Sequence, residues 1–207
     1  MKRTFLMILI SVFLLGSVMS AQEMKPQMRQ RLKNIGSRTN LKTQESRIKI
    51  MRLREELITL YKSGKIDESK AQQIINKIAN SQLELLNMNL ENQIQLRSVL
   101  NEEQFMKLAN KIGKKVEGVK PNRDNKPQEN NNLRGKQNNI LLQLKGKRQE
   151  LMQSLKQNSS QLIDVYSKYQ LDKVKAKEII NKIHNSQVNL LKLEHDFQKR
   201  KPNNPKR

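Results

Sequence analysis

Residues 66–93, IDESKAQQIINKIANSQLELLNMNLENQ, return 105 residues later as residues 171–198, LDKVKAKEIINKIHNSQVNLLKLEHDFQ. Fourteen of the 28 positions are identical without a gap, among them Asp67, Lys70, Ala71, Ile74, Ile75, Lys77, Ile78, Ser81, Gln82, Leu85 and Leu86. The match continues upstream, where Leu57, Ile58 and Tyr61 align with Leu162, Ile163 and Tyr166. Self-similarity at a fixed offset is a strong constraint on architecture. An offset this long does not fit a solenoid, so the chain carries two copies of one supersecondary unit.

The unit reads as a helix. On a wheel that advances about 100° per residue, Ala71, Ile74, Ile75, Ile78, Leu85, Leu96 and Leu100 fall on one side. Gln82, Asn89 and Gln93 interrupt that stripe, and buried amides need partners, so the stripe is thin and partly wet. Asp67 is a suitable N-cap, because its carboxylate accepts from free backbone N–H groups at the positive end of the dipole. Just before it, Ser63, Gly64, Lys65 and Ile66 form a turn in which Gly64 takes the left-handed geometry that ends a preceding helix. The expectation is an all-α chain: two copies of a long antiparallel helical hairpin joined by a flexible basic linker. In the second copy Tyr169 replaces Gly64, so that turn is expected to be looser or longer.

Aromatic residues are 3% of the chain and tryptophan is absent, which favours long, slender helices over a thick core. Cysteine is also absent, so disulfides, thiolate metal sites and a cysteine nucleophile are excluded. The net charge of +22 resembles a nucleic-acid signal, but its placement argues otherwise. Residues 45–110 hold 10 basic against 9 acidic side chains, whereas residues 111–148 hold 11 against 3. The excess lies outside the first hairpin, where it attracts acidic partners at long range in a salt-dependent way.

Residues 1–21 read as a secretory signal peptide: Lys2 and Arg3, an apolar run from Phe5 to Leu15, then small residues up to Ala21. That run is short for a membrane span of about 20 residues, so the expectation is cleavage and export without stable membrane insertion. The location would be the periplasm, or the exterior if the host lacks an outer membrane. Export removes nucleic acid from the expected partners. Residues 22–40 form a basic lead in which Met24, Met28, Leu32 and Ile35 suggest a short helix. Residues 41–112 hold the first hairpin, with a long helix over 41–62. Within it, Leu100-Asn101-Glu102-Glu103-Gln104-Phe105 reads as a corner. Asn101 and Gln104 make a capping box, and Leu100 and Phe105 make a hydrophobic staple. Residues 113–139, with Pro121, Pro127 and an Asn130-Asn131-Asn132 run, read as a disordered linker. Residues 140–200 repeat the hairpin without the corner, and residues 201–207 read as a disordered basic tail.

The signal peptide, the Gly64-x-Ile66-Asp67 hairpin and Val99-Leu100-Asn101-Glu102-Glu103-Gln104 together resemble the Spy/CpxP family of periplasmic helical proteins, also called the LTxxQ or heavy-metal-resistance family. The likeness covers residues 41–112 and, more weakly, 141–199. Asn101 stands where the family usually has threonine. The resemblance implies an ATP-independent, holdase-type chaperone that binds unfolded client proteins on a surface mixing apolar and basic residues. The candidate client contacts are Arg47, Met51, Arg54, Ile74, Lys77, Ile78, Met88 and Arg97. It also implies a homodimer; the duplication suggests instead an intrachain pseudo-dimer of the two repeats. Many methionines and a polar-interrupted stripe suit weak, adaptable binding. Two other readings stay open: a metal- or stress-responsive sensor, and a structural or adhesive helical surface protein.

No residue pattern points to catalysis, and no cofactor is expected. Glu55-Glu56 and Glu102-Glu103 are sequence neighbours and diverge on a helix. His184 and His195 are the only histidines; about 16 Å apart along one helix, they cannot share a metal ion. His195 is expected at the surface; pairing with Glu194 or Asp196 is the alternative. Met24, Met28, Met51, Met88 and Met106 suit core or client contacts better than a soft-metal site.

Overall fold

A computed structural model describes residues 25–63, 66–117 and 135–200, with side chains over 25–63, 66–110 and 142–200. Gly64, the predicted signal peptide, the basic tail and most of the predicted linker lie outside the described residues. The described residues form five helices and no strand. They are α1 Pro26–Lys62, α2 Glu68–Val99, α3 Glu102–Glu117, α4 Gly135–Ser167 and α5 Lys173–Arg200. The fold is all-α. Helix α1 packs along α2, α4 packs along α5, and the two pairs meet through α2 and α5.

Helix α1 runs unbroken for 37 residues, starting with proline at its first turn. Proline suits that place, because its missing N–H would be unpaired there anyway. The separate short helix expected within residues 22–40 is therefore not found. Leu32 and Met28 are the reason: they continue the inward face of α1 and pack against Leu100, Phe105 and Leu108. Thr39 continues the same face, where its hydroxyl donates to the Ile35 carbonyl (2.7 Å).

Asp67 caps α2 by accepting from the Lys70 N–H at 2.9 Å, and Asp172 caps α5 from Lys175 at the same distance. The α4–α5 connection holds the five residues 168–172, the same number as residues 63–67 between α1 and α2. The second turn is therefore not longer, contrary to the expectation from Tyr169. That side chain instead anchors the turn. Its ring lies 5.8 Å from Phe105, and its hydroxyl donates to the Leu100 carbonyl (3.2 Å).

At Leu100 the backbone turns extended and α2 ends. The Asn101 carboxamide accepts from the Gln104 N–H (2.9 Å), and Gln104 accepts from the Asn101 N–H (3.2 Å). The capping box and the staple residues thus form the corner read from the sequence. The predicted linker boundaries are corrected at both ends, since α3 continues to Glu117 and α4 begins at Gly135.

Corresponding positions of the two copies are buried alike: Ala71 and Ala176, Ile74 and Ile179, Ile75 and Ile180, Ile78 and Ile183 are all at most 3% exposed. Two apolar cores result. Ile50, Leu57, Ile74, Ile75 and Ile78 fill the first, and Leu155, Leu162, Val165, Ile179 and Ile183 the second. Each hairpin also lends residues to the other's core. Leu83, Leu86 and Leu90 of α2 join the second core, while Val188 and Leu191 of α5 join the first. Leu83 and Val188 are repeat equivalents, as are Leu86 and Leu191.

Candidate functional site

Two places carry chemistry beyond core packing: the outer face of α1, and the seam between the hairpins. Helix α1 is apolar on opposite sides. Ile50 and Leu57 face the core at 3% and 8% exposure. Leu41, Ile48, Met51 and Ile58 are 60%, 44%, 57% and 40% exposed. Ile48 and Leu57 are nine residues apart, half a turn out of phase at 100° per residue. The exposed four recur at separations of seven, three and seven residues, so they form one stripe about 26 Å long. On the wheel Arg47 and Arg54 flank it on one side and Arg52 on the other. Along Pro26–Lys62 there are ten basic and three acidic side chains, a net +7. Arg47 is half-buried, and desolvation draws its guanidinium below its ordinary pKa.

The predicted client contacts divide sharply. Met51, Arg54 and Lys77 are exposed and Arg47 is half-buried. Met88 is half-buried in an open depression of about 360 Å³, together with Lys42, Glu45, Ser46, Glu84, Asn87 and Glu91. Ile74 and Ile78 are 2% and 0% exposed and hold α2 in the first core, so in this arrangement they touch no client. The stripe assigned to binding is the stripe that folds the hairpin. Arg97 is also corrected. Its guanidinium donates to the carbonyls of Tyr166 (2.7 Å), Lys168 (2.7 Å) and Tyr169 (2.9 Å), and lies 4.2 Å over the Phe105 ring. Those carbonyls lie at the C-terminal end of α4, where a helix favours a cation. Burial lowers the Arg97 pKa to about 10.

The seam holds a cluster that the sequence reading placed at the surface. His195 is 6% exposed. Its Nδ1 lies 2.9 Å from the Tyr61 hydroxyl and its Nε2 2.7 Å from Glu68 Oε2. A neutral imidazole satisfies both partners when Nδ1 accepts from Tyr61 and Nε2–H donates to Glu68. Lys199 reaches the other Glu68 oxygen at 2.8 Å. The Lys199 and His195 contacts hold the Glu68 carboxyl below its ordinary pKa. Desolvation, helped by Glu194, Glu68 and Asp196, pushes the Tyr61 phenol up to about 12. His195 is buried rather than at the surface, and its acidic partner is Glu68, 127 positions away, not Glu194 or Asp196. One signal was present. Tyr61 and Tyr166 occupy the same repeat position, while His195 replaces Leu90 and Glu68 replaces Lys173.

Among the described residues several buried polar atoms have no partner. They include Gln82 Oε1 and Gln187 Oε1, which are repeat equivalents, as well as Asn89 Oδ1 and the Tyr166 hydroxyl. Burial also raises the Tyr166 pKa. Among the described residues no group of three or more histidine, cysteine or acidic side chains is gathered to hold a metal ion. No helix among them is long and apolar enough to cross a membrane. No protein-family model, curated protein or solved structure matches the chain.

Proposed function

We propose that this chain is an exported, ATP-independent holdase of the Spy/CpxP kind, which keeps unfolded proteins from aggregating by loose contact with its surface. The observation that carries the reading is the outer stripe of α1. Leu41, Ile48, Met51 and Ile58 offer apolar contact that no part of the described chain covers, between arginines that attract acidic segments. Charge accelerates encounter, and a few partly buried apolar contacts hold the client without trapping it. A second copy of α1 is a poorer occupant, because each copy of the helix carries a net +7, which Glu55 within the stripe offsets only in part. Acidic and apolar polypeptide suits the face better.

The test is light scattering from a chemically denatured, acidic client diluted into buffer with the chain and no nucleotide. The Ile48→Ser, Met51→Ser, Ile58→Ser triple variant removes the apolar contacts without touching the core. At only about 0.5 kcal/mol each, their loss weakens binding about tenfold, and scattering rises while helicity is unchanged. Equal suppression by the triple variant and the parent would refute the assignment of this face.

A further inference from the structure

We infer that the seam between the two hairpins is a second, covered client surface, which opens to take up an apolar segment of a non-native protein in place of the opposite hairpin. The inference rests on the holdase reading and adds to it how capture is regulated.

Three observations lead there. The first is chemical. The residues that cross the seam form stripes at helical spacing, Leu83, Leu86 and Leu90 on α2 and Val188 and Leu191 on α5, and each packs into the other hairpin's core. Such stripes match any amphipathic segment with apolar residues at i, i+3 and i+7. Each stripe is already occupied by a helix related to the other, so the occupant it accepts is an amphipathic segment. The second is the polar deficit. The Tyr166 hydroxyl is buried without a partner, in the core that Leu86 and Leu90 enter across the seam. Its repeat equivalent Tyr61 meets His195, whereas His195's equivalent facing Tyr166 is Leu90, which offers no polar atom. Opening gives this hydroxyl access to water or to a client's backbone. The third is how the seam is fastened. Its ends are held by polar contacts that water can replace: His195 and Lys199 to Tyr61 and Glu68 at one end, and Arg97 to the α4 carbonyls at the other. Helices α1 with α2, and α4 with α5, are packed more extensively than α2 with α5, so the seam is the weaker junction. A client segment with amides or hydroxyls among its apolar residues fits this lining better than a purely apolar one.

The absence of cysteine from the chain makes the test clean. In the full-length Glu68→Cys, Lys199→Cys variant, whose wild-type side chains meet at 2.8 Å and are partly exposed, a short bis-maleimide joins the hairpins. The control is the same variant with each thiol capped separately by N-ethylmaleimide, which loses the clasp but stays free to open. Both are assayed for suppression of client aggregation. The expected result is that the capped protein suppresses at least as well as wild type, while the cross-linked protein needs about tenfold more chain for the same effect. Equal suppression by cross-linked and capped protein overturns the inference and leaves the holdase reading standing. A wild-type chain that suppresses nothing overturns the holdase reading itself.

Discussion

His184 occupies the repeat position of Ala79, and with Val188, Leu191 and His195 it lies on one stripe of α5. Its Nδ1 is buried without a partner, and desolvation lowers its pKa. The folded state therefore resists a proton that the unfolded chain accepts. Stability from this group is complete above the ordinary histidine value of about 6.5 and falls as pH drops through it. Urea unfolding between pH 7.5 and 5.5 should show a decline that is smaller in His184→Ala, which installs the first copy's own residue. An unchanged slope in the variant would contradict this. Asn101 and Arg97 allow sharper tests. Asn101→Ala should lower unfolding free energy by about 1 kcal/mol, and Asn101→Thr should restore most of it. Arg97→Lys should cost about 2 kcal/mol or more, because one ammonium cannot reproduce a planar fork spread over three carbonyls; a variant as stable as the parent would refute that role. These residues also show what sequence reasoning reaches. The Asn101 box is a contact over three residues, so it was legible. Arg97 to Tyr166, and His195 to Tyr61 and Glu68, span 69, 134 and 127 positions, and no local pattern encodes such distances.

At the scale of elements, helix type, the Asp67 cap and the α2–α3 corner were legible because each follows from periodicity or a short motif. The full length of α1 was not. Met28 and Leu32 gain their meaning only from Leu100, Phe105 and Leu108, which the corner folds back onto them. Helix α1 also hides its two roles from a pattern search, since core residues on one side and Leu41, Ile48, Met51 and Ile58 on the other blur a single amphipathic stripe. The exposure of the candidate client contacts was half legible for the same reason. Met51 and Arg54 lie outside, while Ile74 and Ile78 follow the same spacing rule but are needed for packing. The elements predict a separation of effects. Met28→Ala with Leu32→Ala should loosen the corner and lower unfolding free energy by about 2 kcal/mol or more, with the outer stripe of α1 intact. Chemical denaturation measures this, and a variant with the parent's midpoint would show that the first turns of α1 contribute nothing to the fold.

Across the whole molecule, the duplication gives two slender cores that exchange Leu86 and Leu191, so neither hairpin is sealed by its own residues. The arrangement keeps apolar surface close to solvent, some exposed along α1 and some behind a polar-fastened seam. The chain carries a net charge of +22. Capture that begins with this charge should slow as salt rises from low ionic strength through about 0.15 M, where the screening length is about 8 Å, while apolar retention changes little. The most direct measurement is therefore right-angle light scattering from a denatured acidic client, followed over time with a stoichiometric amount of the chain, without nucleotide, at low and at high salt. The account predicts strong suppression at low salt and weaker, still measurable suppression at high salt. Scattering that rises equally with and without the chain at both salt concentrations would contradict it.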